Sequence, residues 1–145
     1  MIDENNHCQI IKGEQYSDVR GSITYFNNLD LSVVKRFYKI KHPNKEVVRA
    51  WQGHMKEQKW FYVLSGTFKV VLVRPDNWQI PSADLIYEEF VLSDLSNHIL
   101  HVPGGFINGF KALAKDSEIM IFSNFTVEES SDDDFRFDKN LWYKW

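Results

Sequence analysis

Short runs rich in Val, Ile, Phe, Tyr and Thr recur along the chain, set apart by polar pieces that favour turns. GSITYF (21–26), VVKRFYKI (33–40), KWFYVL (59–64) and TFKVVLV (67–73) each read as a β-strand. LIYEEFVL (85–92), HILHVP (98–103), FKALA (110–114) and SEIMIFSNFTV (117–127) continue the series, with HPNK, RPDN and PGG as the turns between strands. Gly66, between KWFYVLS and TFKVVLV, marks a tight hairpin, because a glycine takes the positive φ that reverses two strands. Regularly spaced short strands without long helices predict an all-β sandwich or barrel. No internal repeat, low-complexity stretch or linker breaks the pattern, so residues 1–145 are read as one domain.

Composition changes this picture in a few places. The length suits one hydrophobic core, and an aromatic share of 15% suits strand faces and pocket walls alike, which leaves core filling and ligand binding both open. A net charge of −3, with no stripe of Lys and Arg, argues against nucleic acid as a partner. Cys8 is the single cysteine, which excludes an internal disulfide, and it reads as a bystander. MIDENNHCQI lacks the basic start and apolar stretch of a secretion signal, so a cytoplasmic location is expected. No apolar run approaches the roughly 18 residues a membrane helix needs, so none is expected to span a bilayer. The acidic run of Glu128, Glu129, Asp132, Asp133 and Asp134 reads as a solvated loop from which one carboxylate could turn inward. The tail FDKNLWYKW, with its two tryptophans, is expected to pack on the barrel or on a partner subunit, and a homodimer is expected with it.

Candidate chemistry concentrates in two stretches. In the first, Arg49-Ala50-Trp51-Gln52-Gly53-His54, simple strand alternation sends Gln52 and His54 to one face and Arg49 and Trp51 to the other. Polar groups on an inner barrel face make a site, although a histidine taken alone is more often a satisfied core or surface residue. The second, Leu100-His101-Val102-Pro103-Gly104-Gly105-Phe106-Ile107-Asn108-Gly109-Phe110, passes through a glycine turn of the kind that brings backbone close to a ligand.

Together with Asp18-Val19-Arg20-Gly21, KRFY (35–38), GTFKVVLV, DNWQIPS (76–82), VLS (91–93) and FTVEESSDDDFR (125–136), these stretches resemble the sugar epimerases related to dTDP-4-dehydrorhamnose 3,5-epimerase. More distantly they resemble the dTDP-sugar 3,4-ketoisomerases of the same cupin superfamily. The resemblance covers most of the chain. It implies a double-stranded β-helix, or jelly roll, that forms a dimer and holds a nucleotide-linked 4-keto sugar, with no metal or organic cofactor. In such an enzyme a histidine removes the proton beside the ketone, a cation or donor stabilises the enolate oxygen, and an acid returns the proton.

The family histidine falls on Gln52, which has no pKa usable for proton abstraction. Asn108 stands where the epimerases carry a histidine, as it does in many related sugar epimerases, and the acid tyrosine expected near Thr126 has no counterpart. His54 matches the second histidine of the ketoisomerase pattern R-G-x-H-x-H and is the remaining candidate base. Lys59 matches the lysine that faces the developing oxyanion, and Tyr38 is a candidate pocket residue or acid. Arg20 and Arg49 match arginines expected near the nucleotide phosphates, and Trp51, Asn108 and Arg74 complete the implied substrate-binding set. For Arg20 and Lys59 a surface charge pair is the plain alternative, and for Tyr38 it is strand packing. A metal centre fits poorly: Gln52 interrupts the usual H-x-H, His54 with Glu57 is an incomplete set, and alternation leaves the direction of His101 open.

The leading expectation is therefore a nucleotide-sugar isomerase acting by enolisation, as an epimerase or a ketoisomerase. The alternative is a catalytically silent nucleotide-sugar-binding cupin that has lost its base, and a metal-dependent oxygenase is the least supported reading.

Overall fold

Which way each side chain faces follows from strict alternation in the most regular strands. In β11 (Ser117–Ser123) every second residue is buried and those between are half exposed. In β4 (Arg36–His42), Arg36, Tyr38, Ile40 and His42 turn inward while Phe37, Lys39 and Lys41 face water. The computed structural model describes residues 6–145; the first five residues of the segment read for a secretion signal lie outside the described residues. The remaining strands are β1 (Gln9–Lys12), β2 (Glu14–Asp18), β3 (Gly21–Tyr25), β5 (Val48–His54), β6 (Lys59–Ser65), β7 (Thr67–Val73), β8 (Tyr87–Ser93), β9 (His98–Val102), β10 (Phe106–Ala112) and β12 (Phe135–Arg136), with one short helix, α1 (Val127–Ser131).

Two five-stranded antiparallel sheets, in the orders β1-β9-β6-β11-β4 and β12-β5-β10-β7-β8, face each other, and the β2–β3 hairpin stands apart from both. The jelly roll expected from the sequence is the architecture found. Its core lies between the sheets, where Phe61, Val63, Leu100, Ile119 and Ile121 of one meet Phe68, Val70, Leu72 and Phe110 of the other. Each such side chain contributes roughly 1.5–3 kcal/mol by leaving water. The hairpin at Gly66 forms as expected, with φ at +77° and with Ser117 Oγ only 2.1 Å from where a Cβ would lie, so any side chain there meets both strain and a clash.

Boundaries shift where local chemistry overrides the apolar run. The strand expected over 117–127 stops at Ser123, because Thr126 caps α1: its hydroxyl accepts from Glu129 N while the Glu129 carboxylate accepts from Thr126 N. The strand expected over 110–114 begins earlier, at Phe106, since the turn is confined to the Pro-Gly-Gly segment and Gly105 reverses the chain at φ +97°.

The outer face of the second sheet is also covered. Trp51, Val71, Val73 and Ile107 form a second cluster beneath Phe137, Trp142, Tyr143 and Trp145. The aromatic tail thus packs on its own barrel, which removes it as a ground for a dimer. The same cover explains why β7 and β10 are buried on both faces in their middle. Among the described residues no helix is long and apolar enough to cross a membrane.

Candidate functional site

Between the sheets lies a cavity of about 410 Å³, a size that suits a small-molecule ligand. Arg36 and Tyr38 reach it from β4, Arg49 and Gln52 from β5, Lys59 from the start of β6 and Asn108 from β10. Arg136 of β12 closes one side. Two of the sequence-chosen residues on β5 share the inner face for a reason that simple alternation misses. Asn108 pairs with Gln52 but Phe110 pairs with Arg49, so β5 spends three residues where β10 spends two. The bulge inverts the phase of the strand. Arg49 therefore lies on the same side as Gln52 and His54, which corrects the expectation that it faces away with Trp51.

Gln52 is at the centre of the polar wall. Its Oε1 accepts from Lys59 Nζ at 3.3 Å, and its Nε2 donates to Asp134 Oδ1 at 3.1 Å. Arg136 donates to the same Asp134 carboxylate at 2.8 Å. Burial alone would raise the Asp134 carboxyl, but the hydrogen bonds from Arg136 and Gln52 outweigh it and hold the group below the usual carboxylate range. The Arg36 guanidinium lies 5.0 Å from the centre of the Tyr38 ring and the Lys59 ammonium 5.9 Å from it, which sets a neutral phenol among the cations of the wall. Arg49 donates from Nε to His42 Nε2 at 3.2 Å. Burial, and then the Arg49 charge, push the His42 imidazole below its ordinary value and keep it a neutral acceptor for that bond. The terminal nitrogens of Arg49 remain for a ligand.

His54 lies one layer beneath this wall and is 3% exposed. Nδ1 approaches the Asp133 carbonyl at 2.7 Å, and since a carbonyl only accepts, Nδ1 carries the hydrogen. Nε2 faces Glu57 Oε2 at 3.5 Å. Both ring nitrogens are thereby directed at interior groups, and His54 does not line the cavity. Burial first, then the Lys59 ammonium, push the imidazole below its ordinary value, while Glu57 works in the opposite sense. Two carboxylates of the acidic run turn inward: Asp134 to Gln52 on the cavity wall, and Asp133 to the loop after β5, where it accepts from the backbone N–H of Met55, Lys56 and Glu57.

Several expected site residues lie elsewhere. The Trp51 side chain points to the outer face, 2% exposed under the tail, and donates from Nε1 to Leu141 O at 3.0 Å. Only the strand at Trp51 borders the cavity, because the bulge that turns Arg49 in leaves Trp51 out. Arg74 sits at a separate hollow of about 420 Å³ with Asp84, Glu88 and Phe106, its guanidinium 4.7 Å from the Phe106 ring centre and its Nη2 donating to Asn6 O. Arg20 is on the exposed β2–β3 hairpin, paired with Asp18 at 2.6 Å, and does not line the cavity. His101 faces outward, stacked on Trp60 at 4.7 Å and bonded to Gln58 Oε1 at 2.9 Å. Burial, with Glu88 nearby, pushes the Cys8 thiol up to about 12, which suits a bystander. Among the described residues no three His, Cys, Asp or Glu side chains are placed to hold a metal ion.

Arg36, His42 and Arg136 belong to the site and were not singled out from the sequence, whereas Asp134 was named only as one of the acidic run. For Arg36 and His42 a signal existed, since they share strand parity with Tyr38. Asp134 and Arg136 approach through a pairing 82 and more residues distant in the chain, which no local spacing reveals.

No family model matches the chain, and no curated protein does. Solved structures do. A dTDP-4-dehydrorhamnose 3,5-epimerase from Bacillus anthracis, with TDP and PPi bound, aligns over 99% of this chain and 88% of its own at a TM-score of 0.73 and 18% identity. A histidine-to-asparagine mutant of the 3,4-ketoisomerase from Thermoanaerobacterium thermosaccharolyticum, in complex with TDP-4-keto-6-deoxyglucose, aligns over 92% and 88% at 0.70 and 20% identity. The TDP-quinovose 3,4-ketoisomerase from Campylobacter jejuni aligns over 93% and 95% at 0.67 and 18% identity. The chain has the jelly-roll fold of these proteins.

Proposed function

We propose that this chain is a nucleotide-sugar protein of the dTDP-sugar isomerase type, whose barrel cavity takes a nucleotide-linked 4-keto sugar. The observation that carries this is the charge on the cavity wall. Arg36, Arg49, Lys59 and Arg136 line it, and no carboxylate or imidazole does so among the described residues. Glu57 pairs with Arg36 and Lys59, and Asp134 with Arg136, which leaves Arg49 without a carboxylate partner among the described residues. The surplus of two positive charges suits the two negative charges of a pyrophosphate diester, and arginine forks suit its oxygens. Solved proteins with this fold bind TDP or TDP-4-keto-6-deoxyglucose.

For the chemical step, Lys59 stands where a cation could meet an enolate oxygen, and Tyr38 is the wall residue able to give or take a proton. A second reading, in which the cavity holds the sugar without enolising it, is favoured by a specific arrangement: Gln52 occupies the base position and both nitrogens of His54 turn away. Incubation with dTDP-4-keto-6-deoxyglucose in deuterated water tests the two. Under the isomerase reading, deuterium enters C3 or C5 faster than in the protein-free control. Ligand signals broadened by binding, with no deuterium uptake above the control, would leave the silent module standing.

A further inference from the structure

Glu57 was weighed from the sequence only as part of a poor metal set, yet its side chain is fully buried and three cationic or protonatable groups converge on it. Arg36 Nη2 of β4 lies 3.6 Å from Oε1, and Lys59 Nζ of β6 lies 3.5 Å from Oε2. His54 Nε2 of β5 lies 3.5 Å from the same Oε2. Neither carboxylate oxygen has a closer hydrogen-bond partner among the described residues. Two of the three neighbours, Arg36 and Lys59, also line the cavity, so one buried carboxylate sits behind two cations of the wall.

We propose that Glu57 is the positioning residue of the cavity: its carboxylate, held under the wall by the loop after β5, fixes where Lys59 and Arg36 present their charge. The loop itself is pinned, because Glu57 N donates to Asp133 Oδ2 at 2.8 Å. A buried carboxylate near a cation favours the charged form of that cation and costs several kcal/mol if left alone, so the three groups hold one another in place. Lys59 is thereby kept between Glu57 Oε2 and Gln52 Oε1 with its ammonium on the wall. His54 adds a control. Its Nδ1 already carries a hydrogen for Asp133 O, so any proton it takes up goes to Nε2 and competes with Lys59 and Arg36 for the same carboxylate.

The test uses the full chain and its E57Q and E57D variants. In E57Q, acylation of Lys59 by a small N-hydroxysuccinimide ester, followed by mass spectrometry, is expected to run about tenfold faster or more, since the side chain loses the carboxylate that holds it 3.5 Å away under the wall. E57D, which keeps the charge, is expected to restore slow labelling. A dTDP titration reads the second consequence, a weaker affinity in E57Q than in the unaltered protein, recovered in E57D. The labelling comparison is independent of what the cavity binds, whereas the titration rests on the nucleotide-sugar reading, so the two can fail separately. Should E57Q not fold, the unaltered protein still decides: a resolved, slowly exchanging Lys59 ammonium resonance is expected. An averaged resonance, or E57Q labelling at the unaltered rate, overturns the proposal.

Discussion

A Gln52→His variant is expected to exchange the hydrogens beside a bound 4-keto group about 10²- to 10⁴-fold faster than the unaltered chain, the range that a positioned general base supplies. The site is already arranged around such a residue. The Gln52 side chain has Asp134 Oδ1 on one side at 3.1 Å and Lys59 Nζ on the other at 3.3 Å. An imidazole in this position can donate one N–H to Asp134, which fixes its tautomer and raises its basicity, and offer its other nitrogen to the cavity. Lys59 then stands beside the oxygen that gains charge as the proton leaves. The initial rate of deuterium uptake, followed by NMR at saturating dTDP-4-keto-6-deoxyglucose, measures the effect. A variant that binds the sugar nucleotide as the unaltered chain does, yet shows no faster exchange, would mean that the Asp134–Lys59 arrangement does not serve proton abstraction.

Asp133→Ala is expected to lower the unfolding free energy by about 3 kcal/mol or more, the largest loss anticipated for any polar substitution in this chain. Its carboxylate accepts from three consecutive backbone N–H groups, those of Met55, Lys56 and Glu57, at 2.8 to 2.9 Å. Asp133 is 6% exposed and Glu57 is buried, so the Glu57 N–H has little water to turn to once the carboxylate is gone, at about 1–3 kcal/mol for an orphaned buried donor, and the half-buried N–H groups of Met55 and Lys56 add a smaller loss. Asp133→Asn keeps one acceptor oxygen and is expected to lose about half as much. Urea denaturation gives the comparison directly, through the shift in midpoint at constant slope. A shift equivalent to less than about 1 kcal/mol for the alanine variant would show that the loop after β5 is held by something else.

Much of the barrel is legible in the sequence, because alternation along β4 and β11, and along parts of β6 and β7, is set by side chains a few residues apart. Phe61, Val63, Phe68, Val70 and Ile119 fall on the core face that the pattern assigns them. What stays hidden depends on distant segments. The burial of Trp51 comes from Trp142 and Trp145, about 90 residues away, which fold back over the sheet. The inward turn of Arg49 comes from a bulge, and one inserted residue leaves no mark in composition or spacing. Arg20 lies in a hairpin whose placement beside the barrel no local rule fixes, and Arg74 follows β7 to the separate hollow beside Phe106. Family-type motifs thus located the cavity through Gln52, Lys59, Tyr38 and Asn108, whereas the residues that tune it, Glu57, His42, Asp134 and Arg136, emerge only when strands far apart in sequence are brought together.

Whether the cationic barrel cavity takes a nucleotide-linked sugar is read by a ¹H–¹⁵N NMR titration of the labelled chain with dTDP-4-keto-6-deoxyglucose. Saturable shifts centred on Tyr38, Arg49, Gln52, Lys59 and Asn108 are expected, weakened by added salt because the pyrophosphate meets exposed arginine. Absence of saturable binding, or shifts centred on Arg74 and Phe106 instead, would contradict it.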